Sequence, residues 1–201
     1  MNLNSDIVTA KQLSNQRKRL RSGLYDLDNF LEGGLRFGDI CEFGIPWGQG
    51  GRNIIMPFLA AGTHQQLWAL WVQNKPNIKI NAPAWKSRGI NLAHIRFVKS
   101  SYPLEQLKPI FMEDFFKIII LDAPKMTKDD CAFLARQARQ QNQLIFILRD
   151  YFLSQKNGNI WAKLRINCWR DPNFNQLNTQ IIRGLSPRKI SINLEDLSSP
   201  I

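Results

Sequence analysis

The chain reads as an α/β fold: a mostly parallel central sheet flanked by helices, with an antiparallel strand meander at the C-terminal end. Three features point there. Two runs, K-I-I-I-L-D at 117–122 and L-I-F-I-L at 144–148, are continuously apolar, as expected of strands covered on both faces. Through the first three quarters, short apolar strands alternate with segments of helical periodicity, the pattern of a parallel sheet covered by helices. After Asp150 the strand-like segments follow one another with turns and no helix, which calls for antiparallel pairing.

Taken in order, residues 6–20 are polar and moderately amphipathic and run into Arg17, Lys18, Arg19 and Arg21. This predicts a basic helical arm, residues 1–21, outside the main core. Ser22 is a candidate N-cap for a helix carrying Leu24, Leu27, Phe30 and Leu31 on one face. Gly33 and Gly34 end that helix, because glycine accepts the left-handed conformation that closes one. A strand over 39–44 leads through a glycine-rich loop into an apolar helix over 53–61. Pro57, lacking an N–H, belongs in the first turn of that helix or kinks it. Residues 67–72 and 95–98 read as strands, and 82–88 as a short helix. Residues 103–115 read as one helix, with Leu104, Leu107, Ile110 and Phe111 on one face. Residues 127–141 form another, with Ala132, Leu134, Ala135 and Ala138 inside. The meander takes 160–169, 177–183 and 189–194, turning at Asp171-Pro172 and at 184–187; 196–201 is a loose tail.

Length and composition narrow the classes. A chain of 201 residues fits one core. Hydrophobic residues at 44% and charged residues at 21% are ordinary globular values and argue against intrinsic disorder. Lys and Arg number 27 against 16 Asp and Glu, a net charge of +11, which favours a polyanionic partner or an acidic protein surface. The opening MNLNSDIVTA lacks the apolar core of a secretory signal. The longest apolar runs, 54–61 and 144–148, are far short of a membrane span. Cys41, Cys131 and Cys168 are scattered, form no C-x-x-C, and with His64 and His94 give no zinc spacing. Buried, reduced thiols in a cytoplasmic protein are the expectation.

A strand, a glycine-rich loop and a helix early in an α/β chain mark the place of a phosphate-binding loop. That chemistry needs backbone N–H groups around the phosphates, a Lys for the outer ones and a Ser or Thr for Mg²⁺, in the pattern G-x-x-x-x-G-K-[ST]. Here the loop is Gly44-Ile-Pro-Trp-Gly48-Gln-Gly50-Gly51-Arg52-Asn53. The Lys position falls near Gly51 and the hydroxyl position at Arg52, and a guanidinium cannot ligate Mg²⁺. Either the loop is a relic that keeps only its shape, or Arg52 and the glycine N–H groups still hold an anion at the helix N-terminus. Asp122, at the end of its strand, stands where a Mg²⁺-organising carboxylate would. After the strand at 67–72, where a water-polarising acid belongs, come Gln73-Asn74-Lys75-Pro76. Lys, hydroxyl and base are missing together, which argues against hydrolysis. Trp47, inside the glycine loop, is expected to fill space a nucleotide would take; the other tryptophans read mostly as core.

These residues carry a resemblance. The segment 22–43, SGLYDLDNFLEGGLRFGDICEF, is similar to the approach to the P-loop in RecA recombinases. The strand ending at Asp122 resembles their Walker B strand. Residues 144–150 resemble the strand leading into their mobile DNA-binding loop, and 164–170 with 187–194 resemble their closing meander. The lost P-loop Lys, Pro57 and the segment A-P-A-W-K-S-R-G-I-N-L at 82–92 resemble the ImuA group of RecA-like proteins, also described as SulA-like, from the bacterial DNA-damage-inducible mutagenesis cassette. The resemblance spans roughly 20–195 and rests on the order of several weak motifs.

It implies a RecA-like three-layer core over 22–195 with a degenerate P-loop (Gly44, Gly48, Gly50, Gly51, Arg52) and a Walker B-like Asp122. It further implies a non-enzymatic adaptor in SOS-induced translesion DNA synthesis, with no cofactor. The implied partners are an inactive Y-family polymerase relative and an error-prone replicative-type polymerase, with RecA and single-stranded DNA as further candidates. The alternatives are a SulA-like inhibitor binding a cell-division protein and a DNA-dependent recombinase-type ATPase.

Positive charge collects in the N-terminal arm and the C-terminal third. Arg17, Lys18, Arg19 and Arg21 are the expected partner-docking residues. Lys163 and Arg165, two apart on one strand, are expected to share a face; with Arg149 and Lys156 they are the candidate DNA contacts. In the loop 151–159, Tyr151 and Phe152 are candidates for base stacking.

Overall fold

A computed structural model describes residues 18–74, 80–156 and 158–197. Ten strands are present among them: β1 (Arg19–Leu20), β2 (Leu35–Arg36), β3 (Ile40–Gly44), β4 (Trp68–Gln73), β5 (Ile95–Lys99), β6 (Phe116–Asp122), β7 (Leu144–Arg149), β8 (Leu164–Asp171), β9 (Gln176–Arg183) and β10 (Lys189–Asn193). β1 and β2 pair as a small antiparallel ribbon. The other eight form one sheet in the order β10-β9-β8-β3-β7-β6-β4-β5. Every pairing from β8 across to β5 is parallel. β8 with β9 and β9 with β10 are antiparallel, so the mostly parallel sheet and the C-terminal meander are both present.

Helices cover both faces. On one, α1 (Tyr25–Phe30) and α2 (Met56–His64) bury Leu27, Phe30, Phe58, Leu59 and Ala60 against Cys41, Phe43, Ile118, Ile120 and Phe146 of the sheet. On the other, α4 (Pro103–Gln106), α5 (Lys108–Met112) and α6 (Lys128–Gln140) bring Leu104, Phe111, Leu134 and Ala138 onto Ile40, Ile119, Leu121, Ile145 and Ile147. The runs Ile118–Leu121 of β6 and Leu144–Leu148 of β7 are thus unbroken apolar because both faces are covered. The short α3 (Ala82–Lys86) is capped by Asn81, whose side chain accepts from the Ala84 N–H. α6 starts with a capping box: Thr127 accepts from the Asp130 N–H at 3.2 Å and Asp130 from the Thr127 N–H at 2.8 Å.

Several local expectations are corrected. Residues 1–17, with Arg17, lie outside the described residues, but Arg19 and Leu20 are strand rather than helix, and Leu20 is fully buried in the core. Ser22 is not an N-cap; α1 begins after Leu24 with no side-chain cap. Instead Asp28 reaches back to accept from the Ser22 N–H at 2.6 Å, the Ser22 hydroxyl at 2.9 Å and the Gly23 N–H at 3.2 Å, folding the turn before the helix. The single helix expected over 103–115 is two. Pro109 has no N–H to donate, Leu107 turns with φ −121°, and the chain re-enters helix at Lys108. The helix after the glycine loop opens as a 3₁₀ turn, Gly51–Ile55, and Pro57 sits in the first turn of α2. The tail is not loose throughout, since Leu197 is buried in the core; residues 198–201 lie outside the described residues.

Candidate functional site

The parallel strands β3, β7, β6 and β4 end on one edge, and the glycine loop leaves β3 there. The chain departs from β3 toward β4 on one side, and from β7 across β3 to β8 on the other. Such a reversal leaves a crevice outside the carboxyl ends of the strands. At this edge of the sheet the structure brings Arg52 and Asp122 together. The Arg52 Nη2 donates to Asp122 Oδ1 at 2.7 Å, and its Nε reaches both carboxylate oxygens at 3.1 Å. A third nitrogen, Nη1, donates to the Ile45 carbonyl at 3.3 Å. Asp122 is 4% exposed and Arg52 18%. Trp47 is half-buried, and the Arg52 guanidinium lies 3.4 Å from the centre of its ring, a cation–π stack.

Arg52, the residue that one reading assigns to an anion, is engaged by an internal carboxylate. The residue at the hydroxyl position and the acid at the Mg²⁺ position neutralise each other in fork geometry. Arg52 is not presented to an external anion, and Trp47 covers it. The Lys position is closed as well. A Cβ on Gly51 would stand 2.7 Å from Ile45 Cγ2 and 2.9 Å from its Cβ, with the Cys168 carbonyl at 3.2 Å, so glycine is required there by close approach. Of the other loop glycines, Gly48 and Gly50 have positive φ and are exposed. Asn74, after β4, spends its amide on the Ala123 carbonyl at 2.6 Å.

A second network lies on the opposite face of β3. Glu42 is fully buried in mid-strand. It accepts from Arg149 Nε at 2.8 Å and from the Asn159 backbone N–H at 2.9 Å, and pairs with Arg165 Nε at 3.6 Å. The register explains this, because Arg165 stands directly opposite Glu42 across β8, and Arg149 ends β7 beside Gly44. The pairing holds the Arg149 pKa above its ordinary value despite burial, the largest effect and an opposing one; the Glu42 hydrogen bond and charge outweigh it.

The expected basic stripe is therefore corrected. Arg165 is buried, Arg149 is mostly buried on Glu42, and only Lys163 and Lys156 of the four are exposed. The two arginines instead anchor the loop between β7 and β8. Arg165 also donates to the Ser154 carbonyl at 2.5 Å, and Asn167 clamps Leu153, accepting from its N–H at 2.8 Å and donating to its carbonyl at 2.9 Å. What the loop shows to solvent is Tyr151, Phe152, Lys156, Ile160 and Trp161; Asn157 lies outside the described residues. Trp161, expected in the core, is 41% exposed, and Phe152 meets Trp169 edge-on at 6.0 Å.

Glu42 and Asn167 were not singled out from sequence. The signal for Glu42 was present: a carboxylate amid I-C-E-F of a central strand can be buried only if paired. Its partners depend on strand order, which the sequence does not print. Lys18 and Arg21 are exposed at the ribbon, whereas Arg19 donates into it. Among the described residues no cluster of His, Cys, Asp and Glu is placed to hold a metal ion, and no helix is long and apolar enough to cross a membrane. No family model matches the chain, and no curated protein matches it.

Proposed function

We propose that the chain is a non-catalytic, RecA-like accessory protein of SOS-induced translesion DNA synthesis. It acts as an adaptor between a Y-family polymerase-like subunit and an error-prone replicative-type polymerase, with RecA and single-stranded DNA as further partners. The Arg52–Asp122 pair carries the non-catalytic part of this reading. Phosphoryl transfer works by positioning and by charge stabilisation from Lys and a bound Mg²⁺. Here the Lys position is a glycine that cannot take a side chain, and the metal-organising carboxylate is already neutralised. The assignment to translesion synthesis rests on the ordered resemblance of segments between 20 and 195. The net charge of +11 and the exposed Tyr151, Phe152 and Lys156 support the DNA arm.

The test is co-purification of the full chain with each cassette polymerase and with a cell-division protein as competitor, with and without ATP–Mg²⁺. Retention of a polymerase irrespective of nucleotide is expected. Assembly that requires ATP, or retention of the division protein alone, overturns the reading.

A further inference from the structure

At the end of the sheet opposite the glycine loop, the N-terminal ends of β3 and β8 open into a cleft of about 440 Å³. That size lies within the range of small-molecule sites. Four cationic side chains line it, Arg19 and Arg36 from the β1–β2 ribbon, Arg139 from the last turn of α6 and Lys163 ahead of β8, against one acid, Asp39. Apolar surface comes from Leu164 and Leu185. The walls are built by close backbone approach. A Cβ on Gly184 would overlap the Lys163 carbonyl oxygen, and one on Gly34 would overlap that of Leu20, so the β9–β10 turn is pressed against the segment entering β8 and the two strands of the ribbon are pressed together.

The positive charge is held in place. Arg19 Nη1 donates to the Gly34 carbonyl at 3.0 Å, which fixes its guanidinium at the wall. Burial, and then the neighbouring Arg36 charge, lower the Arg19 pKa, against the opposing charges of Glu32 and Asp39. Arg139 and Lys163 are exposed, and neither side chain has a hydrogen bond or ion pair among the described residues. Lys163 thus belongs with this cleft and not with a stripe along β8.

We infer that this cleft binds a small organic anion, one with an apolar body and a carboxylate, sulfonate or phosphate head. The head would lie between Arg139, Lys163 and the Arg19–Arg36 pair, and the body on Leu164 and Leu185. A nucleic-acid backbone is the less favoured ligand, because it needs a run of cations along a surface rather than a part-apolar concavity.

The probe is 1-anilinonaphthalene-8-sulfonate, titrated against the full chain, with the uncharged N-phenyl-1-naphthylamine as its neutral counterpart. One saturable sulfonate site is expected. Its affinity should fall at least tenfold in the Arg139→Glu/Lys163→Glu variant and stay within twofold in Lys86→Glu/Lys128→Glu, a control of equal net charge using exposed lysines elsewhere. All four are surface residues, so folding is not at stake. Equal binding by both variants, equal affinity for the neutral dye, or no saturable binding overturns the inference. Displacement of the dye by a single-stranded oligonucleotide at matched salt also overturns it, and reassigns the cleft to nucleic acid.

Discussion

Replacing Arg52 with alanine leaves Asp122, 4% exposed, without its three hydrogen bonds from the guanidinium. Breaking a buried ion pair by removing one partner costs about 3–5 kcal/mol, because the remaining charge is stranded away from water. Arg52 itself is 18% exposed, which puts the expected loss at the low end, about 3 kcal/mol. For a domain of this length that corresponds to a drop in Tm of roughly 6–12 °C. Asp122→Asn keeps the shape and leaves Arg52 nearer to solvent, so its cost is smaller, about 2 kcal/mol. The double variant Arg52→Ala/Asp122→Asn should lose less than the sum of the two, with a coupling of at least about 1 kcal/mol. Urea unfolding followed by tryptophan fluorescence and circular dichroism reads all four corners of the cycle. If Arg52→Ala costs under about 1 kcal/mol, the value of an exposed pair, the two groups are solvent-screened and the site is not closed.

The Glu42 network makes a local prediction. Glu42→Gln removes the charge shared by Arg149 and Arg165 and should loosen the loop they anchor. Trypsin cleavage after the exposed Lys156 is expected to speed up at least tenfold, and an unchanged rate would show that the loop is held by other contacts. The thiols predict an alkaline limit. Burial pushes the Cys168 pKa up to about 12 and raises that of Cys41 still further, so the folded state keeps protons that the unfolded chain releases near pH 9. Their contribution is fully present below pH 9 and is lost as pH climbs toward 12, on the order of 1 kcal/mol per thiol by pH 10. Urea midpoints at pH 8 and pH 10 should therefore fall more for the wild type than for Cys41→Ala/Cys168→Ala; parallel falls would refute it. Thr127→Ala should cost about 1 kcal/mol through loss of the capping box, and a neutral result would place the start of α6 under tertiary control.

The apolar runs 118–121 of β6 and 144–148 of β7 were legible because the stretch of a strand covered on both faces carries no polar residue to break the pattern. The antiparallel end was legible for an equally local reason, the missing helices between its strands. The failures were non-local. Ser22 looks like a cap by type, but Asp28, six residues on, takes its donors. Lys163 and Arg165 share parity, yet Lys163 precedes β8 and Arg165 turns inward because β8 lies beside β3 and meets Glu42. The absence of a P-loop Lys was visible in the chain. That Arg52 would take Asp122, 70 residues away, required the strand order that sets β6 two places from β3.

Calorimetric titration of the full chain with ATP–Mg²⁺ bears on the closed site at its source. With Arg52 and Asp122 paired and Gly51 walled by Ile45, no saturable heat is expected up to about 1 mM nucleotide, equivalent to binding weaker than about −4 kcal/mol. Saturable binding at micromolar concentration that is lost in Asp122→Asn would contradict the closed site and return the loop to the class of working nucleotide sites.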